Sequence, residues 1–183
     1  MQWTCFDPTI NDYKELPRVP GIYAFCLRKN MILDIPLVFQ NFNVQYNSFK
    51  GLDLLYAGRA LTNLRNRDYK KHLENNKSGW STLRRSLAVL LFYDLLFSGQ
   101  IMLSRDTKVE FSLLNEVELS QKMKDLLIMY YTIDIEKSEI KEFEKSFIKE
   151  NNPLLNIGDN PNAINREFRS KLSDYRTKIV FRK

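Results

Sequence analysis

Residues Gly21 to Arg28 read GIYAFCLR, a short and mostly apolar run that contains Ile, Tyr and Phe. A second run of this kind, Leu52 to Gly58, reads LDLLYAG. Turn-forming residues bound both runs, which is typical of strands that lie in a core. We predict that the two runs pair as neighbouring strands of one sheet.

The chain between these runs, residues 29 to 51, alternates aromatic and β-branched residues with Gln and Asn. This composition predicts an inserted hairpin or extended loop. The sequence by itself assigns no role to the insertion.

The remaining chain predicts alternating helices and strands. The first two are a helix capped by Thr62 or Asn63 that ends near Glu74 and a helix capped by Ser81 or Thr82 that ends near Phe97. A strand over Lys108 to Leu114, a helix from Asn115 to about Met129 and a strand over Tyr130 to Ile135 follow. The last two are a helix capped by Ser138 that ends before Pro153 and a short basic helix after Asn165. The order predicts an α+β domain with a small mixed or antiparallel β-sheet flanked by helices.

Length and composition exclude several classes of protein. The 183 residues suit a single domain, with a core over about 17 to 160 and a basic C-terminal tail over 161 to 183. The longest apolar run, Leu87 to Phe97, has 11 residues, whereas a membrane span needs about 20. No secretory signal pattern opens the chain, so we expect a cytoplasmic protein without a membrane partner. Two cysteines and one histidine are too few for a tetrahedral zinc site.

Positive charge is concentrated in two stretches. The chain has 28 Lys and Arg against 22 Asp and Glu, a net charge of +6. Eight basic and two acidic residues lie between positions 59 and 85, and seven basic and two acidic residues lie between 166 and 183. Such clusters are either solvated surfaces or phosphate contacts. The candidate nucleic-acid contacts are Arg59, Lys70, Lys71, Trp80, Arg84 and Arg85.

A carboxylate interrupts the apolar stripe of the helix that begins near Ser138. Glu144 lies four residues after Ile140 and three before Phe147, so it shares the face that packs against the sheet. Two interpretations are open. Glu144 is either a salt-bridge partner at the edge of the stripe or a metal ligand.

Five ordered features resemble the GIY-YIG nuclease family. They are the tripeptides Gly21-Ile22-Tyr23 and Tyr56-Ala57-Gly58, the Leu64 and Arg67 pair in LRNR, His72, and the block that runs from Glu144 to Asn156. Ala57 stands where the family has the isoleucine of its second tripeptide. The stretch Gly79 to Leu91 and the sequence NIGDNPN further resemble a bacterial stand-alone branch of the family.

The resemblance implies an endonuclease that hydrolyses DNA phosphodiester bonds and needs a divalent ion, Mg²⁺ or Mn²⁺. Glu144 would hold the ion, and a lone carboxylate suits Mg²⁺, which keeps waters and substrate oxygens. An arginine would oppose the charge that develops on the phosphate. The remaining implied roles are Tyr23 as general base, Tyr56 as a group that positions water or phosphate, His72 as a proton acceptor or phosphate ligand, and Asn156 as an organiser of the glutamate or of a backbone loop.

The sequence departs from the family pattern in the first helix. His72 follows Arg67 by five positions, which separates their side chains by about 140° on an ideal α-helix. Arg65 shares a helical face with His72 and is therefore a rival to Arg67 as the catalytic arginine.

Several alternatives stay open at the level of sequence. His72 could be a surface residue, and Asn156 could simply terminate the turn after Pro153. The insertion at residues 29 to 51 could contact DNA or form a homodimer interface. The whole chain could instead be a nucleic-acid-binding module that keeps the fold without cleavage, or an α+β domain that binds a small molecule or a protein.

Overall fold

The computed structural model describes residues 1–74, 81–97, 109–158 and 160–181, without the side chain of Asp68. Its strands are β1 (Thr4–Phe6), β2 (Gly21–Leu27), β3 (Ser48–Phe49), β4 (Leu52–Ala60), β5 (Val109–Phe111), β6 (Leu127–Thr132) and β7 (Ile179–Phe181). Its α-helices are α1 (Thr82–Leu91), α2 (Tyr93–Phe97), α3 (Leu113–Leu126), α4 (Ile140–Asn151) and α5 (Arg166–Lys178). A π-helix covers Arg65–Leu73, and short 3₁₀ turns cover Tyr13–Glu15 and Leu37–Phe39.

Five strands form an antiparallel sheet in the order β1-β6-β2-β4-β3. The predicted pairing of the first two runs is confirmed, because β2 and β4 are neighbours with Tyr23 opposite Gly58. Strands β5 and β7 form a separate parallel pair. The α+β class and the small sheet flanked by helices are therefore confirmed.

Both faces of the sheet are covered, which explains why every residue of β2 is buried. On one face, Ala24, Leu54 and Ala57 pack with Phe147 and Ile148 of α4. On the other face, Tyr23, Phe25 and Leu55 belong to the larger apolar cluster that includes α1, α3 and α5. No helix of the described part of the chain is long and apolar enough to cross a membrane.

Most predicted elements occur, with shifted ends. The predicted helix from Ser81 to Phe97 is two helices, α1 and α2, and its Ser81 cap is confirmed because Ser81 Oγ accepts a hydrogen bond from the Arg84 amide at 3.1 Å. Helix α3 is capped by Ser112, whose Oγ accepts from the Asn115 amide at 3.3 Å. The prediction that Asn115 opens this helix is wrong, because the hydroxyl three residues earlier satisfies its amide.

Two further boundaries differ from the prediction. Strand β6 begins at Leu127, so Met129 lies in a strand and not at the end of a helix. Helix α4 is preceded by Glu139, not Ser138, and no side chain caps it. It ends at Asn151, before Pro153, as the backbone restriction ahead of proline requires.

The insertion and the C-terminal segment pack against each other. Phe39 of the insertion is buried with its ring 5.4 Å from that of Phe168 in α5. The Asn165 side chain accepts from the Gln45 amide at 2.9 Å and donates to the Gln45 carbonyl at 2.7 Å. The predicted helix after Asn165 is confirmed as α5, and the insertion holds its beginning in place.

Candidate active site

A cleft of about 660 Å³ lies beside β4. Residues 154 to 156 run along the β4 edge, where the Leu155 amide donates to the Leu55 carbonyl at 2.7 Å. Tyr56 and Tyr23 reach the cleft from the face of the sheet that packs against the larger apolar cluster. Glu144 reaches it from α4, which covers the opposite face. The cleft therefore joins side chains from both faces of the sheet.

Tyr23 lines the cleft but is fully buried, and its hydroxyl belongs to a chain of hydrogen bonds. Its hydroxyl lies 2.9 Å from His72 Nε2, and His72 Nδ1 lies 2.7 Å from Ser81 Oγ. Burial, with Arg67, Arg84 and Lys71 nearby, lowers the pKa of His72 well below its ordinary value. His72 is therefore neutral near pH 7, and it is a buried partner of Tyr23 and not a surface residue.

The glycines of both tripeptides leave room for other signature residues. A Cβ at position 21 would lie 2.5 Å from the Thr132 carbonyl oxygen and 2.7 Å from Leu64 Cδ1. A Cβ at position 58 would lie 2.6 Å from Tyr23 Cζ. Glycine at these two positions thus permits the close packing of Leu64 and Tyr23.

Tyr56 lies beside α1, where its hydroxyl is 2.9 Å from Thr82 Oγ1. Its ring centroid lies 6.3 Å from that of Tyr23 and 5.9 Å from that of His72. The two tyrosines of the tripeptides are therefore neighbours that line the same cleft.

The structure separates the two candidate arginines. Arg67 lines the cleft, and its charge acts on His72. Arg65 points to the N-terminal segment, where its Nε donates to the Leu16 carbonyl at 2.9 Å and its Nη2 donates to the Lys14 carbonyl.

The π-helix explains this arrangement. Its hydrogen bonds join residues five apart, as in the bond from the Glu74 amide to the Tyr69 carbonyl at 2.8 Å. Residues five apart, such as Arg67 and His72, therefore lie on the same side of this helix. The separation expected on an α-helix does not apply here.

Glu144 forms an ion pair with Arg59 of β4. The side chains are 12% and 30% exposed, respectively, and both line the cleft. The contact is to Oε2 of Glu144, and within the described residues no hydrogen bond to Oε1 is found. The described residues contain no group of three or more potential His, Cys, Asp or Glu metal ligands. Glu144 thus fits an ion that takes one protein carboxylate, provided that the contact with Arg59 rearranges.

Asn156 fixes the backbone of the second tripeptide. Its side chain accepts from the Ala57 amide at 2.8 Å and donates to the Ala57 carbonyl at 2.8 Å. Both hydrogen-bonding groups of Ala57 are satisfied at the strand edge in this way. Asn156 therefore organises a backbone segment, one of the roles that the family resemblance implies for it.

The predicted nucleic-acid contacts fall into separate groups. Arg59 and Lys71 line the cleft, Lys70 is exposed, and Arg85 is half-buried. Arg84 is fully buried and pairs with Glu116 at 2.7 Å, so its predicted phosphate contact is wrong. Trp80 lies outside the described residues.

Six further polar residues line the cleft without having been predicted as site residues: Thr62, Asn63, Asn66, Thr82, Ser173 and Arg176. Arg176 follows Phe168 by eight positions and Leu172 by four, so it lies in the apolar stripe of α5. A charged residue within an apolar stripe is the signal that identified Glu144. Applied to α5, the same signal would have identified Arg176.

The antiparallel sheet and its flanking helices define an α+β domain in which two tyrosines, an arginine and a glutamate line one cleft beside β4. A family model described as the GIY-YIG catalytic domain matches residues 21–178, which is most of the chain. The chain belongs to this family of nucleases, and the match includes α5. In the comparisons, no curated protein and no solved structure matched the chain.

Proposed function

We propose that this chain is a metal-dependent DNA endonuclease whose active site is the cleft beside β4. The observation that carries the proposal is the convergence of Tyr23, Tyr56, Arg67 and Glu144 on one cleft from four different elements. These residues are far apart in sequence, and an arrangement that only stabilised the fold would not need them around one cleft.

The charge of the cleft favours a phosphodiester substrate. The described lining residues include four cations, Arg59, Arg67, Lys71 and Arg176, and one carboxylate, Glu144. Such an excess attracts a polyanion and stabilises the additional charge of a pentacovalent phosphate. Arg67, which lines the cleft beside the tyrosines, is the residue we assign to that charge.

Glu144 is the residue that would hold a divalent ion. When bound, Mg²⁺ or Mn²⁺ stabilises negative charge on the scissile phosphate and on the leaving oxygen. Binding requires the carboxylate to exchange at least part of its contact with Arg59. The guanidinium of Arg59 then becomes available for a phosphate oxygen, so the same rearrangement frees Glu144 for the metal ion and Arg59 for the substrate.

Tyr23 is the residue we assign to activation of the attacking water. We assign His72 Nε2 as the acceptor of the phenol proton. Because Tyr23 is fully buried, the cleft wall must move before a water can reach the phenol oxygen. Ser81 holds the other ring nitrogen and fixes the orientation of the imidazole. Tyr56, anchored by Thr82, would orient the water or the phosphate.

Cleavage of supercoiled plasmid at low salt tests the proposal, with Mg²⁺, Mn²⁺ or EDTA in parallel reactions. The wild type should nick or linearise the plasmid with metal and not with EDTA, and Glu144→Ala should lose the activity. Glu142→Ala is the matched control, because Glu142 is an exposed carboxylate of the same helix that pairs with Lys145. Equal activity in Glu144→Ala and the wild type would refute the assignment.

The Arg59–Glu144 ion pair favours a second candidate function, a nucleic-acid-binding module that does not cleave. A carboxylate that keeps its arginine cannot take a metal ion through the same oxygen. This function predicts binding that weakens steeply between 50 and 200 mM salt, with no cleavage in any metal.

A further inference from the structure

A third arginine of the cleft, in addition to Arg59 and Arg67, lacks the partners that buried arginines usually have. Arg176, in the last turn of α5, is only 9% exposed and lines the same cleft as Tyr56 and Glu144. Its Nε is buried without a hydrogen-bond partner. Within the described residues, no carboxylate forms an ion pair with it.

The other deeply buried arginines among the described residues have partners. Arg169, seven positions earlier in α5, donates to Asn152 Oδ1 at 3.0 Å and to the Asn162 carbonyl at 2.5 Å. Arg84 pairs with Glu116 and donates to the His72 carbonyl at 2.9 Å. Arg176 therefore differs from the other two arginines that are more than nine-tenths buried among the described residues, since each of those has hydrogen-bond partners.

The surroundings of Arg176 add positive charge. Burial and the nearby Arg85 lower the pKa of Arg176 to about 10, although Tyr56 acts in the opposite direction. Arg176 is still a cation at pH 7, and Arg85 also has a buried Nε without a hydrogen-bond partner. Two neighbouring cations, of which Arg176 lines an open cleft, are stabilised when an anion enters that cleft.

Hydroxyl groups lie on the same wall. Ser173 precedes Arg176 by three positions on α5, so the two side chains lie on one side of the helix. Both line the cleft, as does Thr82, which contacts Tyr56. A guanidinium with nearby hydroxyls is a donor set that suits phosphate oxygens.

We propose that Arg176 binds a backbone phosphate of the nucleic acid next to the phosphate that is cleaved, so that α5 positions the substrate against Tyr56. The inference rests on the proposed function for the identity of the ligand. It also gives the insertion at residues 29 to 51 a purpose, since Phe39 and Gln45 hold the helix that carries Arg176.

Binding measured without cleavage tests this inference. A fluorescent 20-base-pair duplex is titrated with protein in EDTA at several salt concentrations, and anisotropy reports the dissociation constant. Arg176→Met removes the charge and keeps the length of the side chain. We expect affinity to fall about tenfold and the slope of log K against log salt to decrease by about one.

Controls distinguish a contact from a general charge effect. Arg166→Met removes an exposed charge of the same helix and should change affinity less than Arg176→Met. Arg176→Met should also melt at a temperature equal to or above that of the wild type, because it removes a buried charge without a partner. The variant Arg176→Gln is used in place of Arg176→Met if the Met variant does not fold.

The outcomes separate this inference from the proposed function. Duplex binding that depends on Arg176 supports the inference even if the wild type never cleaves DNA. Cleavage with unchanged affinity and salt slope in Arg176→Met overturns the inference and leaves the nuclease proposal intact. A wild type that does not bind the duplex overturns both.

Discussion

Tyr23 and Gly58 are directly opposite each other on β2 and β4, and the Tyr23 ring fills the space that a side chain at position 58 would need. The ring cannot move aside easily, because it is buried and its hydroxyl contacts His72. One tripeptide thus supplies the phenol, and the other supplies the space that determines where the phenol lies.

Gly58→Ala tests this relationship. The new Cβ would lie 2.6 Å from Tyr23 Cζ, so the phenol must move from its present position. We expect the free energy of unfolding to fall by about 1 to 3 kcal/mol and the cleavage rate to fall at least tenfold. Plasmid nicking and denaturant unfolding measure the two effects. Gly158→Ala is the control for stability, since a Cβ there meets nothing within 4 Å and its free energy of unfolding should match that of the wild type.

The two arginines of the π-helix should give opposite results. Arg67→Ala removes a cation from the cleft, and we expect the cleavage rate to fall by about 100-fold or more. Arg65→Ala removes hydrogen bonds to the Leu16 and Lys14 carbonyls, which should lower stability by about 1 kcal/mol and leave the rate within a few fold. Single-turnover rates and melting temperatures measure the two effects. If Arg65→Ala lowers the rate by about 100-fold and Arg67→Ala does not, Arg65 is the catalytic arginine.

The Arg59–Glu144 ion pair should compete with metal binding. Arg59→Gln leaves the carboxylate without its counter-charge, so calorimetric titration with Mn²⁺ should give a several-fold lower dissociation constant than for the wild type. Glu144→Gln should abolish the binding. Lys70→Gln, which removes an exposed charge, is the control and should have little effect. Unchanged Mn²⁺ affinity in Arg59→Gln would show that Arg59 and Mn²⁺ do not compete for the Glu144 carboxylate.

Stability should depend on pH through His72. Its pKa lies well below the ordinary value in the folded protein, so below about pH 6.5 the unfolded chain binds a proton that the folded chain does not. The free energy of unfolding should therefore fall as pH decreases from 6.5, by up to about 1.4 kcal/mol per pH unit. Denaturant unfolding between pH 7.5 and 5 measures the slope.

The variant His72→Gln separates this histidine from other titrating groups. Glutamine stays neutral and retains an amide that can contact Tyr23 and Ser81, so the slope between pH 6.5 and 5 should become shallower. Identical slopes in the two proteins would mean that His72 is protonated in the folded state, contrary to its burial.

The sequence predicted local features well. Apolar runs with turn residues at both ends identified β2 and β4, because strand formation depends on local pattern and burial. The position of Glu144 within an apolar stripe indicated that a helix would bring it to the sheet. The predicted starts of α3 and α4 were wrong, because Ser112 and not Asn115 caps α3, and α4 begins after Glu139 without a side-chain cap.

By itself, the sequence determined the α+β class, the two paired strands, and the tyrosines, arginines and glutamate that characterise the family. The tertiary structure alone decided which of these residues meet. A π-helix brings Arg67 and not Arg65 to the cleft, burial removes Arg84 from any phosphate, and the packing of α5 on the insertion brings Arg176 to the cleft wall. Helical phase and burial depend on contacts between residues far apart in the chain, whereas strand and stripe patterns depend on neighbours.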